Sequence, residues 1–387
     1  MKCKLSDICE YRKGKVNTSN LTLKTYISTE NMLPDKAGVV DANSLPSTTL
    51  VQEYKENDTL VSNIRPYFKK VWQAKHDGGC SNDVLVFQGK SNVDKDFLYY
   101  ILTNDDFFAY SMATSKGTKM PRGDKKSIMQ YEIQLFDIKI QKRIASILKL
   151  LDKKIELNNA INNNLEQQAQ AIFKSWFIDF DPFDGIRPSD WIIGTIDNLG
   201  SEIICGKTPS TKKKEYYGSD MPFITIPDMH GCVYNVVTEK YLSIAGIASQ
   251  SKKTLPPNSV CVSCIGTAGL VTLVSEKSQS NQQINAITPK EGISPYYVYL
   301  LMKTLSKIIN KLGQSGSTIV NLNKKQFSKI QVIIPSRSIL CNFDILCNPL
   351  FEMILSNQRE NIRLVNLRDI LLTKLMKGEL DVSNINL

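Results

Sequence analysis

The chain has 387 residues, more than one hydrophobic core usually supports, and its 42% hydrophobic and 22% charged residues are ordinary globular composition. Two or more domains are therefore expected and a disordered chain is excluded. Lys and Arg number 48 against 38 Asp and Glu, a net charge of +10 that points to a polyanion, nucleic acid first among them.

No run of eighteen apolar residues and no charged-then-apolar leader at Met1-Lys2-Cys3-Lys4 is present, so neither membrane spanning nor secretion is expected. The nine cysteines, odd in number and irregular in spacing, are expected as reduced thiols in a cytosolic protein.

Basic clusters recur along the chain: "YRKGK" (11 to 15), "RPYFKK" (65 to 70), "SKGTKMPRGDKK" (115 to 126) and "TPSTKKKEYY" (208 to 217). Each mixes cations with Gly, Ser, Thr or Tyr, which supply phosphate contacts from side chains and backbone N–H groups. One such cluster alone is a solvated loop. The candidate DNA contacts are Lys13, Lys15, Arg65, Lys116, Lys119 and Arg122 in the first half, and Lys207, Thr208, Lys212, Lys213, Ser315 and Ser317 in the second.

The feature that organises the chain is an internal repeat. A shift of 199 residues pairs "FLYYILTND" from Phe97 with "YYVYLLMKT" from Tyr296, and "SKGTKMPRGDKKSIMQYEI" from Ser115 with "QSGSTIVNLNKKQFSKIQV" from Gln314. The same shift pairs "SND" (81 to 83) with "SNQ" (280 to 282), and with small gaps "LVSNIRP" from Leu60 meets "CVSCIGT" from Cys261. Short alternating runs such as "DVLVFQ" beside helical segments such as "PYYVYLLMKTLSKIINKLG" predict an α+β fold for each copy.

Each copy ends in a long helix. Positions 144, 151, 158, 165 and 172 read Ile144, Leu151, Asn158, Leu165 and Ile172, and the shifted positions read Phe343, Leu350, Asn357, Leu364 and Leu371, a heptad-like seam with Asn at its middle. An Asn in one amphipathic helix can simply face solvent, but two at the same register favour the seam. The second helix can bury its stripe on the first only by running back, so the pair is expected to be antiparallel, with Asn158 meeting Asn357. A forty-residue helix is roughly 60 Å long, enough to act as a spacer.

The expected architecture is thus α+β: two similar globular target-recognition domains, 1–137 and 181–334, separated by two long antiparallel helices in the segments 138–180 and 335–387, a coiled-coil spacer with a pseudo-two-fold internal repeat. Pseudo-symmetry suits duplex DNA, and diverged copies suit a bipartite, asymmetric target. The aromatic run Phe173, Trp176 and Phe177 reads as core or as a partner-binding patch, with mixed use expected because it exceeds what one seam can cover.

The helical segments "NNAINNNLEQQAQAIFKSWFIDFDPF" (158 to 183) and "ENIRLVNLRDILLTKLMKGELDV" (360 to 382), with "GKTPS" (206 to 210) and "GQSGSTIVNLNKKQFSKIQVIIP" (313 to 335), resemble type I restriction-modification specificity subunits over essentially the whole chain. The first copy has "YRKGK" where the second has the fuller "CGKTPS". The resemblance implies a non-catalytic subunit that binds double-stranded DNA, recruits two methyltransferase subunits through its helices and works with restriction-translocase subunits. It implies no cofactor here, S-adenosylmethionine and ATP belonging to the partner subunits.

Alternatives from other classes are a self-sufficient DNA-modifying enzyme or nuclease and a coiled-coil scaffold without a DNA role. Pro34 and Asp35 with Glu53 and Lys55 fit PD-x(n)-ExK, where paired carboxylates would hold Mg²⁺. The same residues read more simply as a turn and a loop, without counterpart in the second copy. "DPF" (181 to 183) lacks the second Pro of an amino-methyltransferase motif, and Cys261 and Cys264 read as buried thiols rather than half a zinc site. His76 and His230 accompany no nucleophile motif, and no phosphate-binding P-loop occurs.

Overall fold

The computed structural model describes residues 2–313, 321–383 and 385. Two compact units divide the chain: residues 1–155 with 363–387, and Glu156–Ile362. The units cut across the two long helices, Ile138–Lys174 and Arg337–Met376, so each unit holds one globular region and a part of both.

In the first unit a four-stranded antiparallel sheet runs in the order Cys9–Tyr11, Val84–Gly89, Thr59–Ser62, Val71–Gln73. Strand Val84–Gly89 buries Val84 through Phe87 in succession, because both faces of the sheet are covered and alternation is not required. A second sheet joins Lys15–Asn17, Leu50–Tyr54, Gly78–Cys80 and Tyr26–Ile27, the last strand parallel. Two helices follow, Lys95–Thr103 and Asp105–Ala113; Asn104 ends the first and caps the second by accepting from the Asp106 N–H. Phe97, Ile101, Phe107 and Phe108 pack with Ile144 and Leu148 of the first long helix and Leu372 and Leu375 of the second into one core.

The second unit repeats the plan with longer elements. Gly200–Cys205, Ile284–Pro289, Val260–Ser263, Val271–Val274 and Tyr234–Asn235 form a five-stranded sheet, and Lys240–Leu242, Tyr217–Ile224 and Gln279–Ser280 a three-stranded one. Helix Pro295–Gly313 places Tyr296, Tyr297 and Tyr299 against the long helices: Tyr296 stacks on Phe351 at 4.4 Å between ring centroids, and Tyr299 meets the same ring edge-on at 5.6 Å.

Within this unit the contacts between the long helices run in opposite senses. Phe343 meets Phe173, Trp176 and Phe177; Asn357 Nδ2 donates to Asn162 at 2.9 Å; Asn158 Nδ2 donates to Glu360 and Asn361 at 2.7 and 2.9 Å. Asn158 and Asn357 therefore do not meet, contrary to the expectation from the seam. The register that pairs 158 with 361 and 162 with 357 is displaced by four residues from one that would pair 158 with 357, one helical turn. Asn158 is fully buried, its Nδ2 satisfied twice and its Oδ1 without a partner among the described residues, so a polar residue is retained here at a cost in stability.

The seam positions are buried unequally. Ile144, Asn158 and Phe343 are fully buried, while Leu151, Leu165, Ile172, Leu350, Asn357, Leu364 and Leu371 are half-buried. Leu340, Phe343, Cys347, Phe351 and Ile354 of the second helix are fully buried at spacings of three or four residues and serve helix and domain together. Arg337–Met376 is on average long and apolar enough to cross a membrane, although no eighteen-residue run is strictly apolar, and Ile345, Leu346 and Met353 on it are exposed.

The aromatic run is mostly core. Phe173 and Phe177 are buried with Trp191, Tyr297 and Phe343, and Trp176 is partly covered by the same cluster. Phe173, in the last turn of the α-helix, and Phe177, in the π-helical turn Ser175–Asp179 that follows, are core residues and not an exposed partner-binding patch.

Asp344 on the second long helix lies beside Ser294, which caps helix Pro295–Gly313 by accepting from the Tyr297 N–H at 3.1 Å while donating its hydroxyl proton to Asp344. Burial raises the Asp344 carboxyl, opposed by the Ser294 hydrogen bond. A folded value above the unfolded one means stability is lost as pH rises from the ordinary aspartate range, near 4, through the folded value. Asp344→Asn keeps an acceptor for Ser294 and removes the charge, so its melting temperature at pH 7 should exceed the parent's and the difference should vanish near pH 3.

Candidate nucleic-acid interface

Three loops interlock at one end of the first four-stranded sheet. Asn63 N–H donates to Asp83 O at 2.8 Å, Gly123 N–H to Asn63 O at 3.1 Å, and Ile64 bridges Arg122. Gly123 has no room for a side chain: a Cβ there would lie 2.8 Å from both Asn63 Oδ1 and Ile128 Cδ1. Arg65 donates its N–H to Pro121 O, and Lys116 and Arg122 exchange both backbone hydrogen bonds across the turn that carries Lys119. The loops thus bring four of the predicted residues together: Arg65, Lys116, Lys119 and Arg122.

Their charges are partly engaged. Lys116 lies 2.6 Å from Asp124 and, with the Ser127 hydrogen bonds, holds that carboxyl far below the usual carboxylate range; Arg122 lies 3.3 Å from Asp83. Lys119 is exposed. Arg65 adopts a left-handed backbone, φ 50°, with its Nε buried and unpartnered among the described residues. Tyr67 and Phe68 protrude beside it, their centroids 4.7 Å apart, a feature the basic-cluster reading passed over.

Lys13 and Lys15 belong to the loop and strand that follow Cys9–Tyr11. Lys15 begins the edge strand Lys15–Asn17 of the other sheet, and Lys13 follows Arg12, whose guanidinium is committed to Asp58. No hydrogen bond among the described residues ties either lysine to the three-loop junction.

The second unit builds the same junction from different side chains. Cys264 N–H donates to Gln283 O at 2.8 Å, Leu322 N–H to Cys264 O at 2.9 Å, and Ile265 bridges Asn321. Here the N-terminal loop does join: Lys207 N–H donates to Ser280 O at 2.9 Å and Thr208 Oγ1 to Gln282 Oε1 at 2.5 Å. Lys212 and Lys213 continue this loop on the surface, Lys213 lying 5.0 Å over the Tyr216 ring and 3.1 Å from its hydroxyl. Ser315 and Ser317 lie outside the described residues. The Asn281-Gln282-Gln283 run, uncharged and so outside the basic clusters, is central to the junction; the alignment of "SNQ" with "SND" is the sequence signal that marks it.

The residues of the catalytic alternatives are spent on structure. Asp35 sits in a left-handed turn, φ 53°, donating its N–H to Phe68 O, while Glu53 on strand Leu50–Tyr54 pairs with Lys55, which also holds Asp77 at 3.1 Å. Burial pushes the thiols of Cys261 and Cys264 up to about 12, against the thiolate a zinc site needs.

What the junctions offer is a set of cations beside amide and hydroxyl side chains, the mixture that holds phosphates and reads base edges. The sequence profile described as "Type I restriction modification DNA specificity domain" matches residues 1–167 and again 188–339. The chain is 33% identical to the Type I restriction enzyme HindI specificity subunit of Haemophilus influenzae, covering 97% of this chain and 100% of that one. It is 25% identical to the MjaIX specificity subunit of Methanocaldococcus jannaschii over 76% of this chain and 71% of that one. Its fold matches the crystal structure of the type I restriction-modification S subunit from M. genitalium with a TM-score of 0.59, at 17% identity over 97% and 96% of the two chains. Two matches to one domain profile, and an end-to-end relative at this identity, place the chain in the type I restriction-modification DNA specificity family, as a non-catalytic specificity subunit.

Proposed function

We propose that this chain reads a bipartite, asymmetric DNA target, with target-recognition domains 1–137 and 181–334 each reading one half, in the cytosol of its host. The observation that carries this reading is the three-loop junction built twice on the same backbone hydrogen bonds with different side chains, Arg122 and Asp83 in one, Asn321 and Gln283 in the other. A shared frame sets the same approach to DNA, and different side chains read different sequence.

The helical segments 138–180 and 335–387 are, in this reading, an antiparallel coiled-coil spacer related by a pseudo-two-fold axis, fixing the gap between half-sites and recruiting two methyltransferase subunits. Restriction-translocase subunits join that assembly, and S-adenosylmethionine and ATP bind on the partners. The seam positions Ile144, Leu151, Asn158, Leu165, Ile172, Phe343, Leu350, Asn357, Leu364 and Leu371 serve this role.

The test is a genome-wide map of N6-methyladenine in a methylation-free host expressing the chain with and without its methyltransferase subunit. A two-part motif with a fixed gap, seen only in co-expression, is the expected result; methylation by the chain alone, or none with a folded partner, overturns it. Within this reading Lys119→Ala should weaken binding to all sequences and flatten the log–log salt slope by about one, leaving the motif unchanged.

A further inference from the structure

The basic rim of the second junction explains attachment to a duplex but not the choice of sequence, since lysines on phosphates are indifferent to bases. Resting on the bipartite reading above, the geometry points to Gln282 as a base-reading residue for an adenine in the half-site of the second recognition domain, with Thr208 as its positioning residue.

The loop that carries Gln282 is held from every side. Asn281 N–H donates to Ile224 O at 3.1 Å, Gln283 N–H to Asn281 Oδ1 at 3.0 Å, and Asn281 Nδ2 to Gln283 Oε1 at 3.0 Å, while Asn281 itself is buried. Gly206 N–H donates to Ile284 O at 3.0 Å, locking the Gly206-Lys207-Thr208 loop beside it. Gln282 is the exposed side chain of this frame. Its Oε1 accepts from Thr208, and its Nε2 has no partner among the described residues.

That arrangement leaves one oxygen lone pair and two amide protons facing outward, an acceptor and a donor side by side. Adenine in the major groove offers the complement, N7 as acceptor and N6–H as donor. Guanine presents two acceptors, N7 and O6, and would set the amide oxygen against O6. Because Thr208 donates to the oxygen end, the amide is oriented before DNA arrives and ordering it costs less on binding. In the first unit the matching position is the exposed Asn82, since Asp83 stands where Gln283 does in the second junction.

The test is selection from randomised duplexes with the full chain assembled with its methyltransferase subunits, comparing the parent, Gln282→Ala, Gln282→Glu and Thr208→Val. Gln282→Ala should relax preference at one adenine position of one half-site by roughly 10- to 100-fold, with the other half-site and the salt slope unchanged. Gln282→Glu, which accepts but does not donate, should move that position toward cytosine, and Thr208→Val should weaken discrimination at the same position only. A parent that selects a bipartite motif, with Gln282→Ala selecting the identical motif, overturns the assignment of Gln282 and leaves the bipartite reading standing. A parent with no bipartite motif takes down both.

Discussion

Asp152→Ala should lower the unfolding free energy by about 3 kcal/mol, near the lower bound for breaking a buried charged pair. Asp152, on the first long helix, takes the Tyr100 hydroxyl at 2.7 Å on one oxygen and Arg368 Nη1 at 2.8 Å on the other. Tyr100 is 3% exposed and the Arg368 side chain 17%. Alanine would strand both groups where water does not reach them easily, and unsatisfied buried partners carry the full desolvation cost. Arg368 keeps Asp369 at 2.9 Å, which is why the loss stays below the upper end of that range.

The corresponding carboxylate of the second unit, Glu166, takes the Tyr299 hydroxyl at 2.8 Å and Lys303 at 3.1 Å. Lys303 is 38% exposed and can turn its ammonium into water, so Glu166→Ala should cost less than Asp152→Ala. Urea denaturation of each variant measures the difference; equal losses would show that the cation adds nothing to the tyrosine's hydrogen bond.

These carboxylates show where the sequence was legible and where it was not. Tyr100 and Tyr299 lie 199 residues apart and were paired by the repeat, because a pattern of large side chains survives divergence when a core must be filled. Their acceptors, Asp152 and Glu166, are both on the first long helix and obey no repeat, since a hydroxyl can reach any carboxylate the fold brings near. Similarly, the heptad reading found the right helices and Phe343, but it missed by one turn how the asparagines pair. A polar residue marks burial in a seam; it does not say which polar residue on the facing helix lies opposite it.

The interface divides along the same line. Lysines in "SKGTKMPRGDKK" were conspicuous as charge, and Lys116, Lys119 and Arg122 do gather around Arg65. Lys13 and Lys15 were equally conspicuous, but no hydrogen bond among the described residues ties them to the junction, because composition does not record which strand edge a loop leaves from. Phe173 and Phe177 were ambiguous in sequence for a related reason: an aromatic run that ends a helix packs inward or outward according to what the fold sets against it, and here Trp191, Tyr297 and Phe343 cover it.

Gly206→Ala should cost about 3 kcal/mol and abolish reading of the second half-site, because backbone meets backbone where the side chain would go. A Cβ at Gly206 would lie 2.1 Å from Asn281 O and 2.4 Å from Ser280 O, carbonyls of the loop that carries Gln282. No rotamer change relieves such a contact. The loop must move away, breaking the hydrogen bonds of Gly206 to Ile284 and of Lys207 to Ser280, and overpacking of this kind reaches the upper end of the usual 1 to 3 kcal/mol. Gly231 is the control: it has open space around it but a left-handed backbone, φ 70°, so Gly231→Ala should cost only about 1 kcal/mol and leave the motif intact. Thermal unfolding and the methylation motif of the two variants, measured side by side, separate general destabilisation from loss of the loop frame. If Gly206→Ala melts with the parent and still selects the full bipartite target, then the close approach of these two loops is not what holds Thr208 against Gln282.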